Sequence, residues 1–285
     1  MILLVLNAAE GFLHLLLARL RPLVPLCSQR WHLPSQGAEL LVPALEQALS
    51  ALGLSPKDLT RIACVRGPGN FTGLRLALVT ASGLARSTPA VLAGLDYLPL
   101  LAAQAGELWT TLGETPPGAE EGEKDARPGR GEEAIWALTR ARRGVVYLQG
   151  FSRTGLRPLT AVLAPPLEEA ARIIARLHAA LGGSALLLGS GLTDNRAAWE
   201  RLRPLLPAGS VFLPPFLDAP GDGVLLRAAT EAAYSREDIA PLYVRSSDAE
   251  ENLESISAAL GLDPAAARKR LEELTGGGSF LGQDL

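Results

Sequence analysis

Apolar residues open the chain in short runs broken by turn signals. Ile2–Leu6 runs into Asn7-Ala8-Ala9-Glu10-Gly11, Phe12–Ala18 is a second run, and Leu23–Cys27 is a third after Arg21-Pro22. Alternation within them is weak, which predicts a meander of well-buried strands. The period then lengthens: Leu40, Leu41, Ala44, Leu45, Ala48, Leu49 and Leu52 share one helical stripe within Ser35–Leu52. Pro43 lies inside that stripe, and proline costs about 3 kcal/mol in a straight helix, so a kink or a broken first turn is expected. Ser55-Pro56-Lys57-Asp58 reads as a cap with proline at the first helical position. Arg61–Arg66 predicts a strand, Gly67 to Gly73 a turn, and the residues beyond it a helix to about Arg86. Ala90–Gly94 is a further strand, with Asp96 capping a helix over Tyr97–Ala105.

The pattern then stops and resumes. Gly113–Glu133 is rich in acidic residues, Gly and Pro and has no large apolar side chain. Such a segment cannot offset roughly 1–2 kcal/mol per residue of ordering entropy, so it reads as a mobile surface insert. A second α/β unit follows, with strands at Ala134–Thr139 and Val145–Phe151, an amphipathic helix over Leu167–Leu181, and a strand at Ala185–Leu188 before Gly189-Ser190-Gly191. A proline-rich crossing at Pro214–Pro220 leads to a helix over Val224–Tyr234. In the tail, Ser247 and Glu250 form a capping-box pattern, a helix follows Asp263-Pro264, and Gly276-Gly277-Gly278 ends it. The chain therefore reads as α/β in two broadly similar halves.

Composition narrows the chemistry. The chain has 285 residues, 48% hydrophobic and 20% charged, enough for a real core and too apolar for global disorder. A net charge of −3 argues against a surface that binds nucleic acid unaided. Two cysteines, Cys27 and Cys64, exclude a disulfide scaffold and a four-thiolate zinc site, and read as inert core thiols. His14, His32 and His178 are the three histidines, and none stands in an HExxH or HxxxH spacing. His14 and His178 read as surface or satisfied structural residues rather than catalysts. The greasy N-terminus lacks a basic lead, and no run reaches the roughly 18 apolar residues of a membrane span. The expectation is a soluble, cytoplasmic protein with no membrane partner.

The richest feature is Gly67-Pro68-Gly69-Asn70-Phe71-Thr72-Gly73. Its glycines permit close backbone approach and its Asn70 or Thr72 can cap a helix. A helix start after such a turn can bind anions, yet Leu74-Arg75 stands where a Walker Lys-Ser/Thr pair would be. A tight strand-to-helix turn and a phosphate site both remain open at this point. The following helix carries small residues at Gly73, Ala77, Thr80, Ala81 and Gly83, which fit either packing on its own sheet or close docking of another subunit. Asn7 ends the first strand where a metal-binding Asp would serve phosphate transfer, and an amide is a poor ligand for Mg²⁺. Ser190 lacks a full nucleophile-elbow motif, because Leu188 replaces the first glycine. Arg140, Arg142 and Arg143 form a basic turn, read as solvated charge.

Arg66-Gly67-Pro68-Gly69-Asn70-Phe71-Thr72-Gly73-Leu74-Arg75 resembles the RGPGSFTGxR hallmark of the TsaB (YeaZ) family, with Asn70 for Ser. Supporting likenesses run from Ile2–Ala9 (LALDTA) through Leu40-Leu41-Val42-Pro43 (LLP) to Ala141–Tyr147 (DARxGEVY). Gly189-Ser190-Gly191 and Ala240–Arg245 (PxYLR) complete them. The resemblance implies an actin-like ATPase (ASKHA) fold of two lobes, each a mixed sheet flanked by helices. The first would span 1–107 and receive the helix from about 221–245, the second 108–220, with a helical tail over 246–285.

It further implies a non-catalytic subunit of the machinery making threonylcarbamoyladenosine at adenosine 37 of tRNA. That subunit pairs with and activates its catalytic paralogue TsaD, alongside the ATPase TsaE, and meets tRNA through the complex. No tightly bound cofactor is expected on this chain; ATP and metal belong to the partner subunits. The implied partner interface comprises Gly67, Pro68, Gly69, Asn70, Phe71, Thr72, Gly73, Leu76, Ala77, Thr80, Ala81, Gly83 and Leu84, with Leu41 and Leu45 beside them. A homodimer through the same surface is the expectation without TsaD. Departures from the pattern are Asn7 for Asp, Gly37 for His and Arg140 for Asp. The competing readings are an ATP-dependent phosphotransferase of the same fold and a protease, the latter without a nucleophile, base and orienter set.

Overall fold

A computed structural model of the chain describes residues 1–32, 37–112 and 132–244, together with Ser257, Asp263 and Ala266. The first strands follow the apolar runs: β1 (Ile2–Asn7), β2 (Phe12–Leu20) and β3 (Leu23–His32). Next come α1 (Gly37–Ala51), β4 (Leu59–Gly67), α2 (Phe71–Ser87), β5 (Val91–Asp96) and α3 (Tyr97–Leu112). The second half holds β6 (Glu132–Arg142), β7 (Val145–Ser152), α4 (Leu167–Leu181), β8 (Gly182–Leu188), α5 (Ser190–Thr193), α6 (Arg196–Leu202), β9 (Val211–Phe212) and α7 (Asp222–Glu231).

Two mixed sheets organise these elements. The first has the order β3-β2-β1-β4-β5 and the second β7-β6-β8-β9. Within each, a hairpin is antiparallel and the strands beyond it are parallel: β1 with β4 and β4 with β5, β6 with β8 and β8 with β9. The second sheet thus repeats the first without its outer strand β3. Alternate residues of the central strands enter different cores. Leu4, Leu6, Ile62 and Cys64 pack under α1 and α2, while Leu3, Val5, Ala63 and Val65 face α3 and α7. In the second sheet Ile135, Ala137, Leu186 and Leu188 join that same α3–α7 core from the other side. Ala134, Trp136, Leu138 and Leu187 meet α4 and α6. Helices α3 and α7 are therefore a layer shared by both sheets. This double-sided burial explains why the strands read as continuous apolar runs rather than alternating ones.

Several expectations need correction. Helix α1 runs from Gly37 to Ala51 with Pro43 inside it; Pro43 is exposed, where water can take the carbonyl that the missing N–H would have served. Asp96 ends β5, and its carboxylate accepts from Arg66 Nε at 2.6 Å. Helix α7 stops at Glu231, and Tyr234 beyond it donates its hydroxyl to the Ala229 carbonyl at 2.7 Å. Helices α5 and α6 were not expected, because they are too short to show a period. Ser55 and Asp58 do close a single 3₁₀ turn, with Ser55 N donating to Asp58 Oδ2 at 2.7 Å. Cys64 is buried as expected, its thiol pushed up by desolvation, but Cys27 sits half-buried on β3. The acidic insert lies outside the described residues up to 131, and its last residues, Glu132 and Glu133, begin β6. The Ser247–Glu250 box and the glycine run at the end also lie outside them. Asp263 does accept from Ala266 N at 3.4 Å.

Leu101 of α3 is fully buried in the core that both sheets share. Leu101→Ala should cost about 2–5 kcal/mol in urea unfolding and lower one cooperative transition. Two separated transitions would show that the sheets unfold independently.

Candidate functional site

The turn after β1 and the loop before α2 lock together through backbone. Asn70 N donates to the Ala9 carbonyl at 2.6 Å. A Cβ on Gly69 would overlap the Ala9 carbonyl oxygen, and one on Gly73 would overlap that of Ala8. Gly67 adopts φ 121°, and a Cβ there would lie 2.9 Å from the Leu242 carbonyl oxygen. These glycines therefore serve the close approach of the chain's own backbone. The helix start is equally occupied. Asn70 Oδ1 accepts from Thr72 N at 3.1 Å and Gly73 N at 3.2 Å, and Leu74 N donates to Asn70 O at 2.9 Å. Asn70 is thus the N-cap of α2, as its residue type suggested.

Asn7 is buried, and its Oδ1 accepts from Ala9 N at 3.1 Å, which shapes the turn. Its Nδ2 is buried without a hydrogen-bond partner among the described residues. A nucleotide with a divalent cation, the ligand an actin-like fold implies, does not fit here. The carboxylate position holds an amide, the helix amides are capped, and the glycines face carbonyl oxygens that would repel phosphate. Among the described residues no group of three or more His, Cys, Asp or Glu side chains is placed to hold a metal ion.

Glu10, at the end of the same turn, links the two sheets. Its carboxylate accepts from Ser190 Oγ at 2.8 Å, and Ser190 Oγ also accepts from Arg140 N at 3.1 Å. Burial pushes the Glu10 carboxyl up to about 8, against the lowering effect of the Ser190 bond, with Asp194 and Asp218 raising it further and Arg140 lowering it. Asp218 is itself raised by burial, although Gly189 N donates to its Oδ1 at 3.0 Å. Gly189-Ser190-Gly191 is therefore a joint between halves of the chain, a role that residue type alone did not reveal.

A second polar cluster brings Ser28, His14 and Asp222 together. His14 Nε2 lies 3.1 Å from Ser28 Oγ and 3.0 Å from Asp222 Oδ1, while Ser28 Oγ donates to Asp222 Oδ1 at 3.0 Å. His14 Nδ1 faces Arg30 Nη2 at 3.4 Å. Guanidinium only donates, so the imidazole proton sits on Nε2. The serine proton is committed to Asp222 and Nε2 carries its own, so this trio lacks the base a nucleophilic serine requires. His14, buried and lowered by desolvation, instead ties β2 to the start of α7. His178 is likewise structural, accepting from Trp136 Nε1 at 3.0 Å.

The residues expected at a partner interface separate by helix phase. Leu41, Leu45, Ala77 and Ala81 are buried in the core between α1, α2 and the first sheet, so they are not offered to a partner. Gly67 and Pro68 are buried as well, and Leu84 packs partly on that core. Phe71, Thr72 and Gly83 are exposed, with Leu76 and Thr80 half-buried between them. A Cβ on Gly83 would meet nothing within 4 Å, so packing inside this chain does not require glycine there. Sequence reasoning missed Val79, 71% exposed, and Val42, 55% exposed. Both lie one residue off the buried stripes, where hydrophobicity alone does not mark the phase.

Because folding favours protonated Glu10, its contribution to stability is complete below its ordinary value of 4.5 and is lost as pH rises through about 8. Between pH 5 and 9 the wild-type Tm should fall relative to that of Glu10→Gln, at roughly 2–4 °C per kcal/mol. Parallel Tm curves measured by calorimetry would count against this role.

The family model for TsaD, tRNA N6-adenosine threonylcarbamoyltransferase, matches residues 22–117, about a third of the chain. The chain is 33% identical over 82 residues to the tRNA threonylcarbamoyladenosine biosynthesis protein TsaB of Escherichia coli, covering 29% of this chain and 34% of that one. It is 34% identical over 62 residues to the Bacillus subtilis protein of the same name, covering 22% and 27%. The matched stretch thus spans about a third of the length of these curated relatives. YeaZ from Pseudomonas aeruginosa shares the fold at a TM-score of 0.58 and 21% identity, over 85% of this chain and 99% of that one. In fold and in these partial sequence likenesses, the chain is similar to the TsaB (YeaZ) proteins.

Proposed function

We propose that this chain is the non-catalytic partner subunit in tRNA threonylcarbamoyladenosine biosynthesis. It binds and activates the transferase TsaD in the cytoplasm, with the ATPase TsaE, and meets tRNA through that complex. Nucleotide and metal chemistry then belongs to the partner subunits. The observation that carries this reading is the outward side of α2. Val79 is 71% exposed there, and Gly83 beside it has open space around its Cα. Helix α1 packs beside α2 on the same face of the first sheet and exposes Val42 and Pro43. An apolar surface with a bare glycine lets another helix approach closely. A stable complex needs on the order of 1,200–2,000 Å² buried in total, which two adjacent helices can supply. The capped start of α2 supports the same reading, since its amides already have partners. Among the described residues no helix is long and apolar enough to cross a membrane. Without TsaD, the same helices are free to pair two copies of this chain.

Reconstitution tests the proposal. TsaD and TsaE from the same organism are assayed for tRNA threonylcarbamoylation with and without the chain. Modification should require the chain, and the chain alone should give none; equal modification without it would sink the proposal. Val79→Arg should abolish co-elution with TsaD on size exclusion while leaving the Tm within a few degrees of wild type. Ala77→Arg, by contrast, places a charge in the closed core and should fail to fold.

A further inference from the structure

Two segments far apart in sequence meet at one side chain on the outward side of α2. The Arg75 guanidinium carbon lies 3.7 Å from the centroid of the Phe71 ring and 5.9 Å from that of Tyr243. Arg75 Nε donates to the Tyr243 hydroxyl at 3.0 Å, and the two rings stand 5.4 Å apart. Tyr243 is held in place by backbone, because Leu242 N donates to the Arg66 carbonyl at 2.8 Å. Both rings remain open to solvent, Phe71 at 42% and Tyr243 at 41%.

Seven other arginines of the fold are neutralised at home. Arg66, Arg86, Arg153, Arg172, Arg196, Arg203 and Arg227 each hold a carboxylate within 2.9 Å. Arg75 instead is ordered by two aromatic rings, which fix its direction without cancelling its charge. Among the described residues no carboxylate is paired with its Nη atoms. The result is a rigid fork, already ordered, in an apolar setting beside Leu76 and Val79. Such a group gains most from a carboxylate when an interface closes over it, because solvent is excluded and little side-chain freedom remains to be lost. A tRNA backbone is a poorer match: phosphate recognition uses several cations together, and this stripe offers one unneutralised.

We propose that Arg75, held by Phe71 and Tyr243, is the anchor of the partner interface and takes a carboxylate on the docking surface of TsaD. The assignment rests on the partner reading above. It makes the motif segment Arg66–Arg75 and the described residues 240–244 parts of one binding element. Phe71 and Tyr243 act as positioning residues, and Arg75 makes the contact.

Binding of the full chain to TsaD from the same organism, measured by calorimetric titration at low and high salt, tests this directly. Arg75→Ala should weaken binding about 10-fold or more and abolish most of its salt dependence. Arg75→Lys should recover only part, since an ammonium lacks the planar fork. Tyr243→Phe keeps the ring but loses the hydrogen bond and should weaken binding a few-fold, while Arg172→Ala on α4 should match wild type. Circular dichroism checks that each variant is folded, and the two conservative variants carry the test if Arg75→Ala is not. Wild-type binding that Arg75→Ala and Arg75→Lys leave within about 2-fold overturns this assignment alone. So does a loss confined to tRNA binding by the complex. Absence of wild-type binding overturns the partner reading and this assignment with it.

Discussion

The Ala8–Ala9 carbonyls pressed against Gly69 and Gly73 set the geometry of everything around them. Asn7 shapes that turn from within, and the Asn70 amide clamps it from the other side. Only glycine can sit this close to another backbone, so the loop and the turn behave as a single piece. The same turn carries Glu10 across to Ser190 of the second half. The same loop carries Asn70 into the first turn of α2, which sets where Phe71 and Arg75 stand. A motif that looks like a phosphate cradle is thus a structural rivet, and its consequences are felt on the outer surface.

Electrostatics divide the molecule in two. Inside, several polar groups meet in small closed circuits: Glu10 with Ser190, His14 with Ser28 and Asp222, His178 with Trp136. In the His14 circuit the Ser28 proton is committed to Asp222, which is why this Ser-His-Asp grouping lacks a free base. Outside, several arginines, among them Arg86, Arg153, Arg172 and Arg227, are matched by carboxylates of this chain. On the α2 surface one cation is held by aromatic rings instead, surrounded by exposed apolar groups. This combination of paired arginines and an ordered cation without a carboxylate partner among the described residues suits protein recognition better than nucleic-acid binding by the chain alone. It is consistent with a net charge of −3.

The phase of α1 and α2 decides what the surface offers. Glu46 and Gln47 mark the outer side of α1, but Val42 and Val79 are apolar and exposed, so hydrophobicity alone does not place them there. Leu41 and Leu45 belong to the inner stripe, and Val42, between them, to the outer. A rotation of one residue, about 100° around a helix, separates a core residue from an exposed one. That angle is set by packing on the first sheet, where Leu4, Leu6, Ile62 and Cys64 await α1 and α2.

By itself, the sequence determined the α/β class, most strands and helices, the cap at Asn70 and the likeness to the TsaB (YeaZ) motif. These follow from local periodicity, turn chemistry and one contiguous motif, all carried within windows of ten to twenty residues. The absence of a metal-ligating carboxylate at Asn7 was also legible, because residue identity alone carries it. Tertiary structure alone decided what the glycines approach, since Ala8 and Gly73 are far apart in the chain and meet only through the β1–β4 pairing. It decided that Glu10 is pushed toward neutrality, since desolvation depends on neighbours from the second sheet. It also joined Arg75 to Tyr243 across 168 positions. Local patterns encode which elements form; which side chains those elements bring together depends on how the sheets stack, and that is a property of the whole core.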